Sequence, residues 1–361
     1  MSVDRPLLEV DGLEKYFAQD RSLSDVLLRR EPEYIQAVDD LSFDLHENEV
    51  KGVIGESGCG KTTLLMTLLG LYDKTGGNIR FEGTDYAEFD NADWKEFRRR
   101  VQVIFQDPFN ALDPKKTIRR SLEIPLEVHD IGDRERRIHE TMEMVELGPP
   151  ERYLDRYPSE LSGGEKQRVS IARALVLDPD VIMADEPVSM LDVSTQAVIL
   201  KLLSRLIDEQ GLSMIYISHD LSTVSYICDE INVMYLGRIV ETAPTMDLLS
   251  DPQHPYSKEL IDAIPVPNPH ADRDRTSLEG STPDPIELGE GCRFRDRCPK
   301  RMDICQETPR TVGTDHRVAC HLYYDHKASE EAGEVVRATP EERLTETGEP
   351  PIDENIEEAD R

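Results

Sequence analysis

The sequence predicts an α/β fold: a mostly parallel sheet with helices on both faces, an inserted helical subdomain and a small Cys-rich C-terminal extension. Three observations carry this. Strand and helix patterns alternate through roughly the first 245 residues. The apolar run Val50–Ile54 leads into a Gly-rich turn and the helical stretch TTLLMTLLGL. Two more apolar runs, 181–184 and 214–217, each follow a helical pattern, as a crossover between parallel strands requires.

Taken in order, residues 7–13 and 37–45 alternate apolar and polar positions as strands do, and 79–81 and 101–105 add further strands. Residues 109–177 read as a mainly helical insertion that includes SLEIPLEVHDIG and RERRIHETMEMVEL. After Asp251 the composition shifts: HPYSKELIDAIPVPNPH is a short helix stopped by prolines, and DRDRTSLEGSTPDP reads as an irregular linker. A Cys-rich stretch then runs to about His326, and the Glu-rich remainder lacks aromatic residues and is expected to be disordered. The predicted division is 1–250 with its helical subdomain at about 109–177, then 251–326, then an acidic tail at 327–361.

The formal net charge is −31, with 73 acidic against 42 basic residues, so attraction to nucleic acid or an anionic membrane by bulk charge is excluded. The acids are spread along the chain, and only 12 of the 42 basic residues are Lys. That pattern resembles proteins of salt-loving archaea, whose salt-rich cytosol screens self-repulsion; an ordinary acidic protein is the alternative. The N-terminal MSVDRPLLEV lacks the charged and apolar regions of a leader, and no apolar run approaches a membrane span. A cytosolic chain with reduced thiols is expected.

Residues 55–63, GESGCGKTT, fit G-x-x-x-x-G-K-[ST] between a buried strand and a helix. Backbone N–H groups of Gly55, Ser57, Gly58, Cys59, Gly60, Lys61, Thr62 and Thr63 would surround phosphate oxygens; Lys61 would reach the β and γ phosphates and Thr62 would hold Mg²⁺. Residues 181–187, VIMADEP, end an apolar strand in two carboxylates: Asp185 for Mg²⁺ through water, and Glu186 to polarise an attacking water.

LSGGEKQRVSIARAL, residues 161–175, resembles the signature motif of ABC-type ATPases, whose fold is a P-loop core with an inserted helical subdomain. Ser162, Gly163 and Gly164 then imply a phosphate-facing helix start that acts in trans on ATP held by a partner subunit. The other family parts follow in order: Gln106 in VIFQDP as the glutamine that contacts Mg²⁺ or water, Asp192 in SMLD, and His219 in YISHD as the γ-phosphate contact. For the adenine-stacking aromatic, EKYF offers Tyr16 or Phe17, with Phe17 preferred by the family pattern.

Within that family, RRVQVIFQDPFNALDP, ADEPVSMLDVSTQA, HPYSKELIDAIP and GCRFRDRC resemble the dipeptide and oligopeptide importers, and specifically the second of their paired ATPase subunits. The resemblance implies a peripheral ATPase on the cytoplasmic face of the membrane. It would work with a second, homologous ATPase, two permeases and an external solute-binding protein, without nucleic acid. Runner-up readings are a soluble ABC ATPase acting on ribosomes or DNA, and a catalytically silent nucleotide-binding subunit. Cys292, Cys298, Cys305 and Cys320 lack the close pairs of common zinc ribbons. Their thiolates suit zinc or an iron–sulfur cluster, and the resemblance implies four iron and four sulfur atoms.

Overall fold

The computed structural model describes residues 5–19, 33–107, 111–263, 286 and 288–324. At its centre lies β3 (Val50–Ile54), every residue of which is buried. It is flanked by parallel partners: β8 (Ser213–Ser218) on one side and β9 (Glu230–Tyr235) on the other. Beyond β8 follow β7 (Val181–Asp185) and then β6 (Val101–Ile104), also parallel. β7 and β8 are buried throughout, which is why their sequences are continuous apolar runs.

The prediction of one mostly parallel sheet needs correcting at both ends. The two N-terminal strands, β1 (Leu8–Ala18) and β2 (Tyr34–Leu45), pair with each other antiparallel, and β1 pairs with β4 (Gly76–Phe81), in a separate four-stranded sheet completed by β5 (Thr84–Asp85). Alternation shows that a strand buries one face, not which sheet it joins. On its other side the main sheet is antiparallel: β10 (Arg238–Pro244) turns back on β9, and β12 (Arg317–Ala319) and β11 (Thr311–Val312) extend it to eight strands. The turn between β9 and β10 places Leu236 at φ 44° and Gly237 at φ 83°, the left-handed pair that a tight hairpin needs.

Two cores result. Between the sheets lies α1 (Lys61–Leu68), whose Leu64, Leu65 and Leu68 pack with Leu13, Leu41 and Phe43 of the small sheet and with Val53, Ile215 and Ile217 of the large one. The second core lies on the opposite face of the large sheet, where α5 (Gly163–Leu175) packs on β6. α5 in turn carries α3 (Ile118–Val128), α4 (Arg134–Met144) and α6 (Val193–Gln210), and the four helices contribute Leu122, Met142, Ile171 and Leu203 to the core. Further α-helices among the described residues are α2 (Asn91–Arg100), started by an Asp90–Asp93 capping box, α7 (Leu221–Ile227), α8 (Thr245–Ser250) and α9 (Pro255–Asp262). The predicted linker at 272–285 and the tail at 327–361 lie outside the described residues. No helix among the described residues is long and apolar enough to cross a membrane.

Candidate active site

Because β3, β8, β7 and β6 run parallel, the residues that follow them emerge at one edge of the sheet, the edge where open α/β sheets form their binding crevice. A cleft of about 760 Å³ opens there. It is lined by Gly55, Ser57, Gly58, Gly60, Lys61, Thr62 and Thr63 after β3, Gln106 after β6, Asp185 and Glu186 at the end of β7, and His219 after β8. Residues that the sequence singled out in four separate stretches thus meet in one place.

The loop shape depends on glycine at two points. Gly60 has φ 107°, and a Cβ there would lie 1.9 Å from the Ala37 carbonyl oxygen. At Gly55 a Cβ would come within 2.2 Å of the Met234 carbonyl oxygen. Lys61 is buried, and its Nζ donates to the carbonyl oxygens of Gly55 and Glu56 at 2.8 and 2.9 Å. The N-terminus of α1 carries no side-chain cap, so its first-turn N–H groups are open to an anion.

The carboxylates are set for different work. Asp185 accepts the Thr62 hydroxyl at 3.1 Å; burial raises its pKa, the Thr62 bond opposes that, and the charge of Glu186 adds to it. Glu186 sits at φ 45°, an unusual conformation for a side-chain-bearing residue, and this backbone position goes with a carboxylate held between two neighbours. Its Oε2 accepts Gln106 Nε2 at 2.9 Å and its Oε1 is 2.6 Å from His219 Nδ1. The three side chains are therefore locked together over the phosphate loop.

Of the two candidate aromatics, Phe17 lines the cleft, edge-on to Tyr72 at 5.5 Å, whereas Tyr16 is buried with its hydroxyl donating to Asp39. Cys59 contributes its side chain to packing: its thiol is buried in the core between the sheets, where desolvation raises its pKa. Ser162, Gly163, Gly164 and Asp192 are not among the cleft-lining residues; Ser162 caps α5 and Asp192 caps α6. The sequence reading did not single out Ile35, Ala37, Glu56 or Leu260, which also line the cleft. Only chain folding brings Leu260 there, and no local motif marks it.

The cysteines do not behave as a single-ion site. All are free thiols, and no group of three His, Cys, Asp or Glu side chains among the described residues is placed to hold a metal ion. The segment is closed instead by backbone bonds, such as Cys292 N–H to the Cys305 carbonyl at 3.0 Å, and Cys292 and Cys298 pack against the large core. Burial pushes the Cys292 thiol up to about 11, and the neighbouring Cys305, Cys320 and Cys298 push the same way. Burial also raises Cys298 and Cys320.

An uncapped glycine-loop helix start, a lysine in the loop and a Gln–Glu–His set at adjacent parallel strand ends define a P-loop nucleoside-triphosphate site. The ABC transporter family pattern matches residues 38–189, and that of the oligopeptide/dipeptide transporter C-terminal region matches residues 240–305. The chain is 46% identical over 323 residues to a putative peptide import ATP-binding protein of Brucella ovis, covering 88% of this chain and 98% of that one. It is 43% identical over 303 residues to the dipeptide transport ATP-binding protein DppF of Haemophilus influenzae, covering 84% and 91%. Among solved structures, a dimeric bacterial ABC transporter cassette matches with a TM-score of 0.57 and 26% identity, over 66% of this chain and 98% of that one. CbiO1 from Clostridium perfringens, part of an ABC transporter complex, shares the fold at a TM-score of 0.58 and 24% identity, over 68% and 92%. The chain belongs to the ABC transporter ATP-binding proteins, in the group that carries the oligopeptide/dipeptide C-terminal region, and is an ABC ATPase.

Proposed function

We propose that this ATPase powers an importer of peptides or a related solute, paired with a second homologous ATPase beneath two membrane permeases and supplied by an external binding protein. The reading rests on the C-terminal region at residues 240–305 together with the peptide-import names of the relatives. Peripheral attachment at the cytoplasmic face follows from the same reading. The cassette would span 1–250, with 251–326 as its transporter-specific extension.

In this reading Lys61 leaves the Gly55 and Glu56 carbonyls for the β and γ phosphates, and Phe17 stacks on adenine. Glu186 orients the attacking water, with Gln106 and His219 fixing its carboxylate. Oxygen donors suit Mg²⁺, and the adjacency of Thr62 and Asp185 fits it, with Gln106 completing the set. When bound, the ion neutralises phosphate charge. Ser162, Gly163 and Gly164 lie outside the cleft of their own chain, which supports action in trans on nucleotide held by the partner, with Asp192 nearby in the dimer.

The observation that carries the catalytic assignment is the Gln106–Glu186–His219 bonding over the phosphate loop. Glu186→Gln is expected to lower phosphate release by the assembled transporter by about 10²–10⁴-fold while ATP still binds. Unchanged turnover would move hydrolysis to the partner's site and make this chain's own site silent.

Four free thiols gathered at Cys292, Cys298, Cys305 and Cys320, within the stretch that follows the transporter-specific helix, support an iron–sulfur cluster, with zinc as the alternative. Iron and acid-labile sulfide assayed on protein purified without oxygen test this. The net charge of −31 supports an origin in a salt-loving organism, with ATPase activity rising in molar KCl as its test.

A further inference from the structure

The second residue of the phosphate loop is held from a distance. Glu56 donates its backbone N–H to the Tyr256 hydroxyl at 3.0 Å and offers its carbonyl to Lys61 at 2.9 Å. Its carboxylate accepts two bonds from Arg297, both at 2.9 Å. Arg297 belongs to the cysteine segment, between Cys292 and Cys298. It also donates to the Tyr235 hydroxyl at 3.2 Å, and its guanidinium lies 5.7 and 5.8 Å from the Tyr235 and Phe294 ring centres. The side chains are 8% and 18% exposed, so solvent screens this pair far less than a surface one.

A carboxylate in a loop that must cradle a polyphosphate carries the wrong charge for the task. Left unpaired beside the cleft, it would repel each phosphate that approaches, in proportion to the charge of the ligand. A second arginine ties the same segment down: Arg293 is paired with Asp39, which Arg238 also contacts. Phe294 is sealed between Tyr235 and Tyr256 at 5.3 and 5.5 Å. The guanidinium is thus delivered by a rigid platform.

We propose that Arg297 is a positioning residue of the nucleotide site: its bidentate pair with Glu56 cancels a carboxylate within the phosphate loop, so that the C-terminal extension sets the loop's affinity for polyphosphate. The proposal rests on the reading of the cleft as an ATP site, and its test separates the two. The full-length chain is titrated with a fluorescent ATP analogue competed by MgATP, MgADP or adenosine. Arg297→Met keeps the apolar stem and is expected to weaken MgATP by about tenfold, MgADP by less and adenosine hardly at all, because a charge effect scales with ligand charge. The double variant Glu56→Gln with Arg297→Met is expected to return MgATP affinity to within about threefold of the parent, since the two effects are coupled.

Equal losses for MgATP and adenosine, a double variant as weak as the single, or unchanged MgATP affinity in Arg297→Met would each overturn the proposal and leave Arg297 as packing. Should Arg297→Met not fold, Arg297→Lys keeps the charge and loses the fork. It is expected to bind MgATP about two- to threefold more weakly, with adenosine unaffected. Parent-like affinity in that variant counts against the pair. A parent chain that binds no MgATP removes the nucleotide-site reading, and this proposal with it.

Discussion

The helices that follow the phosphate loop and Ser162 both start at glycine-bearing turns, yet their N-termini are finished in opposite ways. At α1 the cap position is Gly60 in a left-handed conformation, with no side chain bonded to the first-turn N–H groups. At α5 the Ser162 hydroxyl accepts the Glu165 N–H, while the Glu165 carboxylate folds back on the Ser162 N–H at 2.8 Å and its hydroxyl at 2.7 Å. These bonds lower the Glu165 pKa, the backbone bond from Ser162 contributing most. One helix start is thus open to an anion; the other already holds one of its own. A phosphate can enter the first directly, whereas at the second it would first have to displace a carboxylate.

Removing the open start's cation gives the largest expected effect. Lys61→Met should weaken MgATP binding by about a hundredfold, read by the same competition titration, because buried charge-assisted bonds to phosphate are among the strongest available. An effect under about threefold would show that the open N–H groups alone hold the ligand.

A third helix start sharpens the comparison, because its cap titrates. At α9 the His254 ring accepts the Tyr256 N–H at 3.1 Å, and burial lowers that imidazole to about 3. The unfolded imidazole takes up a proton as pH falls through about 6.5, while the folded one resists until about 3, so this stability is lost progressively on acidification across that window. Between pH 7 and pH 5 the loss should be about 2 kcal/mol of unfolding free energy by denaturant titration, and His254→Asn, which retains an acceptor, should flatten that slope. An identical slope in the variant would assign acid sensitivity elsewhere.

The smallest effect belongs to the self-capped start. Ser162→Ala should cost about 1 kcal/mol of stability, the usual worth of a helix cap, measured as a midpoint shift. No shift would mean that the Glu165 bond to the Ser162 N–H suffices.

What was legible in the sequence follows the same physics. β3, β7 and β8 were readable almost to the residue because strands buried on both faces are written as unbroken apolar runs. Lys61, Asp185 and Glu186 were readable from the loop and strand-end patterns, and Gln106 and His219 through the family resemblance; the parallel strands bring all five together at their C-terminal ends. The separate antiparallel sheet was not, since alternation leaves the pairing partner open. The β9–β10 hairpin was hidden because Leu236 occupies a left-handed turn position that Asn or Asp would have advertised. Arg297 could not be found from sequence at all: 241 positions separate it from Glu56, and nothing local marks either as half of a pair.

That separation gives the molecule a timetable. Synthesis proceeds from the N-terminus, and the cleft-lining residues up to His219 are made before Tyr256 and Arg297 exist. Until those arrive, Glu56 stands without its hydroxyl acceptor and its counter-charge, and Asp39 lacks Arg293 across 254 positions. Contacts of such long range form late. A nascent chain therefore owns the parts of a nucleotide site well before it owns a finished one, and a polypeptide truncated ahead of Arg297 never completes it.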